Sequence, residues 1–236
     1  MKPGRSIIGP MNAPRWLRVT LKRLTYGGVG RGRDGERVVA WLDVRPGTRV
    51  ADIGAGFGDF AIRLARATGP TGIVYAVDVD PDLREEVGRK ARREGLPQLR
   101  PLEALSDDPA LPEVVDLIFL SSSFHHLPDP GAYLERVRAY LREGGSVAIL
   151  EDTPGRTSGL FGHATPPETV RSTLEAAGYR LLATSDLVRS ASLQTFEPIC
   201  APDAPAPGPD WTLSRASGSR ARGGRSARGR RSGGRR

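Results

Sequence analysis

A single cysteine, Cys200, is all the thiol this 236-residue chain possesses. No intramolecular disulfide is possible and no thiolate cluster can hold zinc, which suits a reducing compartment. Aromatic residues are scarce at 6%, although a hydrophobic share of 38% still suffices for a core. No run approaches the ~18 apolar residues of a membrane span, and the N-terminus lacks the apolar centre of a secretory leader. These absences lead to the expectation of a soluble, cytoplasmic protein without a transmembrane segment. Acids are missing too, but only locally. Residues 1–33 hold eight Lys or Arg and no acid, and residues 214–236 hold nine Arg and no acid. The formal charge of +8 therefore belongs to the ends, and the middle keeps 18 basic residues against all 27 acidic ones.

What is present is a repeating alternation. Asp34 heads a short helical pattern with Val38, Val39 and Leu42 on one face. "TRVADI" reads as a buried strand at 48–53, followed by a helix at 59–67 with Asp59 as its cap. "GIVYAV" gives a second strand, and a helix from Pro81 stops at Gly95. A weaker strand lies near 98–103 and an apolar one at 114–120. Tyr133, Leu134, Val137 and Leu141 mark a helix ended by Gly144, before the strand "SVAILE". Thr165 and Glu168 form a capping box with Pro166 at N1, and Gly178 closes that helix. "YRLLATS" and "LQTFEPI" finish as a hairpin, with Pro198 predicting a short or edge final strand. Continuous apolar strands between amphipathic helices imply an α/β fold, a doubly wound, mostly parallel sheet covered on both faces with the last strand antiparallel. The expected organisation is a basic segment at 1–33, one domain at 34–200, and a disordered Pro-rich then Arg/Gly-rich tail at 201–236.

Ligands of such sheets sit beyond the carboxyl ends of the strands. That rule nominates Asp52 to Gly58, Asp78, Asp107 and Asp108, Ser121 to His126, and Glu151 with Asp152, all just after a predicted strand. Gly54, Gly56 and Gly58 make G-x-G-x-G, whereas the dinucleotide fingerprint is G-x-G-x-x-G. Asp78, 24 residues past Gly54, is where an acid can accept bonds from both ribose hydroxyls. Asp52 and Asp59 flank the glycines, and no Lys or Arg falls between Ala51 and Ile62. A pyrophosphate would be repelled there, so an NAD enzyme is disfavoured. A cationic nucleoside such as S-adenosylmethionine, with its sulfonium, ammonium and ribose diol, fits better.

"VADIGAGFGDF", "VYAVDVDPDL" and "LSDDPALPEVVDLIFLSSSFHHLPDP", in that order, resemble the class I S-adenosylmethionine-dependent methyltransferases. The resemblance covers about 34–196 and implies a Rossmann-like methyltransferase fold. It implies that the backbone of Gly54, Ala55, Gly56 and Gly58 packs against the methionine part of the cofactor and that Asp52 sits near its ammonium. Asp78 would hold the ribose, Val79 would lie beside the adenine, and Asp108, with Asp107 as second choice, would accept from the adenine amino group. Ser121 belongs to the same binding set. The activity implied is transfer of a methyl group to a small organic acceptor by in-line displacement.

His125 and His126 are the candidates for a general base, or else structural or cofactor-lining groups. The segment lacks the Asn/Asp-Pro-Pro-Tyr/Phe stretch of nucleobase amine methyltransferases. Its paired histidines resemble the small-molecule and quinone branch, and one cysteine excludes arsenite methyltransferases. His163 falls where the acceptor pocket is often roofed, and no metal-ligand spacing is convincing. "RWLRVTLKRL" carries Leu17, Leu21 and Leu24 on one helical face, either docking as a lid or lying on an anionic membrane. The Arg-rich tail offers weak, nonspecific nucleic-acid binding at most, since it has no aromatic for stacking. Alternatives left open are an RNA or protein methyltransferase recruited by that tail, and a cofactor-binding regulator without catalysis.

Overall fold

The computed structural model describes residues 13–26, 32–155 and 164–199, all within one unit, Met1–Ala206. His163, Cys200 and the Arg-rich tail lie outside the described residues. Helices α1 (Arg15–Tyr26) and α2 (Gly32–Trp41) precede β1 (Arg49–Ile53), α3 (Asp59–Thr68), β2 (Ile73–Asp78), α4 (Pro81–Glu94) and β3 (Leu99–Glu103). Then come β4 (Val115–Ser121), α5 (Pro130–Val137), β5 (Leu141–Asp152), α6 (Pro167–Ala176), β6 (Tyr179–Ser185) and β7 (Ala191–Pro198). The seven strands form one sheet in the order β3-β2-β1-β4-β5-β7-β6. β1 to β5 are parallel and β7 runs antiparallel to both its neighbours.

The apolar strands earn their place by burial on both faces. Val50, Val74 and Phe119 belong to the layer that α3 and α4 cover, whereas Ala51, Val77, Ile118 and Leu120 belong to the layer under α5 and α6. At about 25 cal/mol per Å² of apolar surface, each fully covered Leu or Phe stabilises by roughly 1.5–3 kcal/mol. Strand order reverses between β1 and β4, and the cleft described below opens at the carboxyl ends of β1, β2 and β4.

Four local expectations are corrected. The helix expected to run to Gly144 ends at Val137, because Leu141 already pairs with Val115 and Gly145 packs against the Asp116 carbonyl. The Thr165 capping box does not form; Pro166 holds the cap position in an extended conformation and the Thr165 amide donates to Asp152 instead. Asp59 is the first residue of α3 rather than its cap, a place taken by Gly58. Pro198 does not force β7 to the edge. It pairs with Tyr179 past the last β5 partner, where the central ladder needs no donor from it.

Helix α1 docks differently from its apolar pattern. Arg15, Arg18 and Lys22 meet Glu85, Asp82 and Asp80 at the start of α4, while Trp16 stays exposed. Three of its cations, Arg15, Arg18 and Lys22, are thus engaged within the domain.

Candidate functional site

Strand β1 delivers Asp52 to its carboxyl end, where the side chain is 2% exposed. One carboxylate oxygen, Oδ2, has no hydrogen-bond partner among the described residues. Burial first, and then the nearby Asp78 carboxylate, push its pKa up to about 7.

The chain then turns sharply. The amides of Gly54 and Ala55 both donate to the Val77 carbonyl, at 2.9 and 3.1 Å, tying the turn to β2. Gly54 has φ +71°, and a Cβ there would stand 2.5 Å from Ser123 Cβ. Gly58 has φ +76°, and its Cβ would stand 2.8 Å from a Val87 methyl of α4. Both positions therefore require glycine, for backbone conformation and for close approach. The Gly56 amide donates to Asp78 Oδ2 at 2.9 Å, and Asp78 Oδ1 accepts from the Asp80 amide at 2.9 Å. Burial raises the Asp78 carboxyl above its ordinary value, against the pull of those two amides.

Together these elements line a cleft of about 390 Å³, within the size range of small-molecule sites. Asp52, Gly54, Ala55, Gly56, Asp78, Val79, Ser121 and His126 all line it, as do Leu105 and Ser106. Val79 and Leu105 are each 60% exposed, leaving two apolar side chains open toward the cleft. Among the described residues that line it there is no Lys or Arg. The carboxylates suit a cation, the side-chain-free glycine turn allows close approach, and the open Val79 and Leu105 suit a flat apolar group. The donor set therefore fits S-adenosylmethionine.

Other nominated residues lie elsewhere. Gly58 does not line the cleft and serves the packing of α3 on α4. Asp107 and Asp108 also stand outside it. The Asp108 carboxylate accepts from the Ala110 amide at 2.7 Å and the Tyr140 hydroxyl at 2.8 Å, and Arg136 lies within 4 Å of both acids. His125 is not in the lining either: its Nδ1 is hydrogen-bonded to Glu151, which is 1% exposed. The two histidine rings are 4.0 Å apart, so His126 faces the cleft with His125 behind it.

The His125–Glu151 pair is a feature that residue types alone do not reveal. β5 lies beside β4 with Leu150 opposite Ser121, which brings the next residue, Glu151, level with the turn carrying the histidines. A second addition is Lys90 of α4, 6% exposed, whose Nζ donates to the Phe57 carbonyl at 2.7 Å and lies 3.5 Å from Asp59. The glycine turn thus gains a cation that its own sequence lacks, held by two cleft-lining residues, Phe57 and Asp59, while Lys90 itself does not line the cleft. No group of three or more His, Cys, Asp or Glu among the described residues could hold a metal, and no described helix is long and apolar enough to cross a membrane.

Residues 51–147 match a family model described as a methyltransferase domain. This is a class I, S-adenosylmethionine-dependent methyltransferase domain. It is similar to a 2-phytyl-1,4-naphtoquinone methyltransferase of Trichormus variabilis, with 30% identity over 49% of this chain and 52% of the relative. Aklanonic acid methyltransferase of a Streptomyces species is 32% identical over 57% of this chain and 60% of that one. The chain thus spans about half the length of the curated relatives it matches, and neither of these names a nucleic-acid substrate. Among solved structures, a SAM-dependent methyltransferase from Aquifex aeolicus aligns with the methyltransferase domain at TM-score 0.62 and 26% identity, over 69% of this chain and 88% of that chain. Magnesium protoporphyrin IX methyltransferase from Synechocystis, with bound S-adenosylhomocysteine, shares the fold at TM-score 0.56 and 19% identity, over 77% of this chain and 92% of that one.

Proposed function

We propose that the protein is an S-adenosylmethionine-dependent methyltransferase acting on a small organic acceptor, an aromatic or quinol-like molecule whose reacting group must lose a proton. The observation that carries the reading is Asp52: a buried carboxylate with an unpartnered oxygen, in a cleft without a lining Lys or Arg, calls for a cationic ligand. When bound, the cofactor supplies an electrophilic methyl group. The protein's own residues do the rest. Asp52 receives the ammonium group, Asp78 the ribose hydroxyls, and the Gly54 to Gly56 turn holds the ligand close through backbone alone. Val79 and Leu105 cover the base.

His126 is the proton acceptor in this reading because it alone of the pair lines the cleft. His125 is a positioning residue: with its Nδ1–H donating to Glu151, its ring is fixed in one tautomer and held against His126. The names of the quinone and aklanonic acid relatives support an acceptor of this class.

Calorimetric titration of S-adenosylmethionine and S-adenosylhomocysteine into the full chain tests the proposal. Micromolar binding is expected, weakened about tenfold to a hundredfold in Asp78→Ala for loss of a charge-assisted hydrogen bond. A folded sample that binds neither ligand rejects it.

A further inference from the structure

The contacts of α1 reach Asp80 and Asp82, close in the chain to the acid that the proposed function assigns to the ribose. Lys22 is 5% exposed, and its ammonium lies 2.6 Å from Asp80 and 2.9 Å from Asp82. Asp80 lines the cleft and caps α4 by accepting from the Asp82 amide at 2.9 Å. Its own backbone amide donates to Asp78 Oδ1, and the other Asp78 oxygen accepts from Gly56. An unbroken chain of bonds therefore runs from Lys22 through Asp80 to Asp78 and into the glycine turn. Arg18 behaves differently: it forms a paired bond to Asp82, at 2.9 and 2.7 Å, and a third bond to the Ala13 carbonyl. Arg18 first, and then Lys22, hold the Asp82 carboxyl well below the usual range, so both cations face an ionised partner.

We infer that Lys22 is a positioning residue for cofactor binding: by gripping Asp80 from α1 it fixes the Asp78–Val79–Asp80 turn that meets the ribose and base. The inference rests on the proposed cofactor site. Two opposing effects follow from removing the Lys22 charge. The turn loosens, which weakens any ligand bound through Asp78. The cleft also gains uncompensated negative charge, which favours a cation. S-adenosylmethionine carries a sulfonium and S-adenosylhomocysteine does not, while both present the same ribose, base and amino acid end. Comparing the two ligands therefore separates positioning from field.

The test is the affinity of both ligands, by calorimetry, for the full-length wild type, Lys22→Met, Lys22→Gln, Lys22→Arg and Arg18→Ala, each with a melting temperature. Two neutral replacements are included so that one that fails to fold does not end the experiment. Positioning predicts that Lys22→Met or Lys22→Gln weakens both ligands by the same factor, about tenfold, worth about 1.4 kcal/mol. Lys22→Arg recovers most of that loss, and Arg18→Ala, with a comparable change in melting temperature, changes affinity by less than about threefold. Unchanged affinity for both ligands in a folded neutral variant overturns the inference, as does a change confined to S-adenosylmethionine, which marks a field effect. A wild type that binds neither ligand instead removes the proposed function on which the inference stands.

Discussion

Lowering the pH from 7 to 5 strips the charge from Asp52 before most other carboxylates respond, and binding of a cationic ligand must feel it. Burial, with Asp78 adding to it, places the Asp52 pKa at about 7 in the empty cleft. A ligand ammonium set against the unpartnered oxygen selects the ionised form. With a pKa of about 7, roughly one molecule in eleven is ionised at pH 6, so binding there releases about 0.9 proton. Between pH 5 and pH 7 affinity should rise by about fiftyfold from this group alone, before the ligand's own amino group, with a pKa near 8, begins to discharge. The sign for stability is opposite. Because the folded value lies above the unfolded one, the Asp52 contribution is present below about pH 4 and lost as pH rises through about 7, by at most about 4 kcal/mol. Acid should therefore favour the empty fold at this site while weakening the loaded one. Titrations of S-adenosylhomocysteine at pH 6 in buffers of different ionisation enthalpy count the released protons directly. Asp52→Asn should lower the count sharply. A count near zero in the wild type, with flat affinity from pH 5 to 7, refutes the assignment of Asp52 to the cationic end.

Two other substitutions probe the site from its packing. Gly54→Ala forces a Cβ to within 2.5 Å of Ser123 at a positive φ, and should destabilise the fold by about 1–3 kcal/mol in urea unfolding; a change under about 0.5 kcal/mol would mean that the turn relaxes freely. Asp108→Ala should leave ligand affinity within about threefold of wild type while lowering stability by about 1 kcal/mol, through the lost bonds from Ala110 and Tyr140. A tenfold loss of affinity without a stability change would return Asp108 to the binding set.

The strand-following segments were legible because an apolar run ending in an acid or a glycine turn marks both an element and its carboxyl end. Asp52, Gly54, Gly56 and Asp78 come together for that reason. Asp107 and Asp108 stand outside the cleft lining because a polar loop has two sides, and Tyr140 and Arg136, which are distant in sequence, engage these acids on the other one. Glu151 could be paired with His125 only by knowing that β5 lies beside β4. Helix α1 misled in another way. Its leucines carry the periodicity, but its docking follows the complementary spacing of Arg15, Arg18 and Lys22 against the acids opening α4. Patterns within one element report which faces are apolar, whereas ionic docking is written jointly in two elements.

The insertion of β7 between β5 and β6 sets an order of assembly. β6 precedes β7 in the chain yet among the described residues has no sheet neighbour except β7, so β6 cannot join the sheet until β7 has been made. Until residues up to 196 have been synthesised, the apolar flank of β5 from Val147 to Leu150 is an open edge, able to recruit another strand. Synthesis stalled before Ala191 would leave that edge unpaired, and such a nascent chain is a target for chaperones or for aggregation, although its cofactor cleft is already encoded.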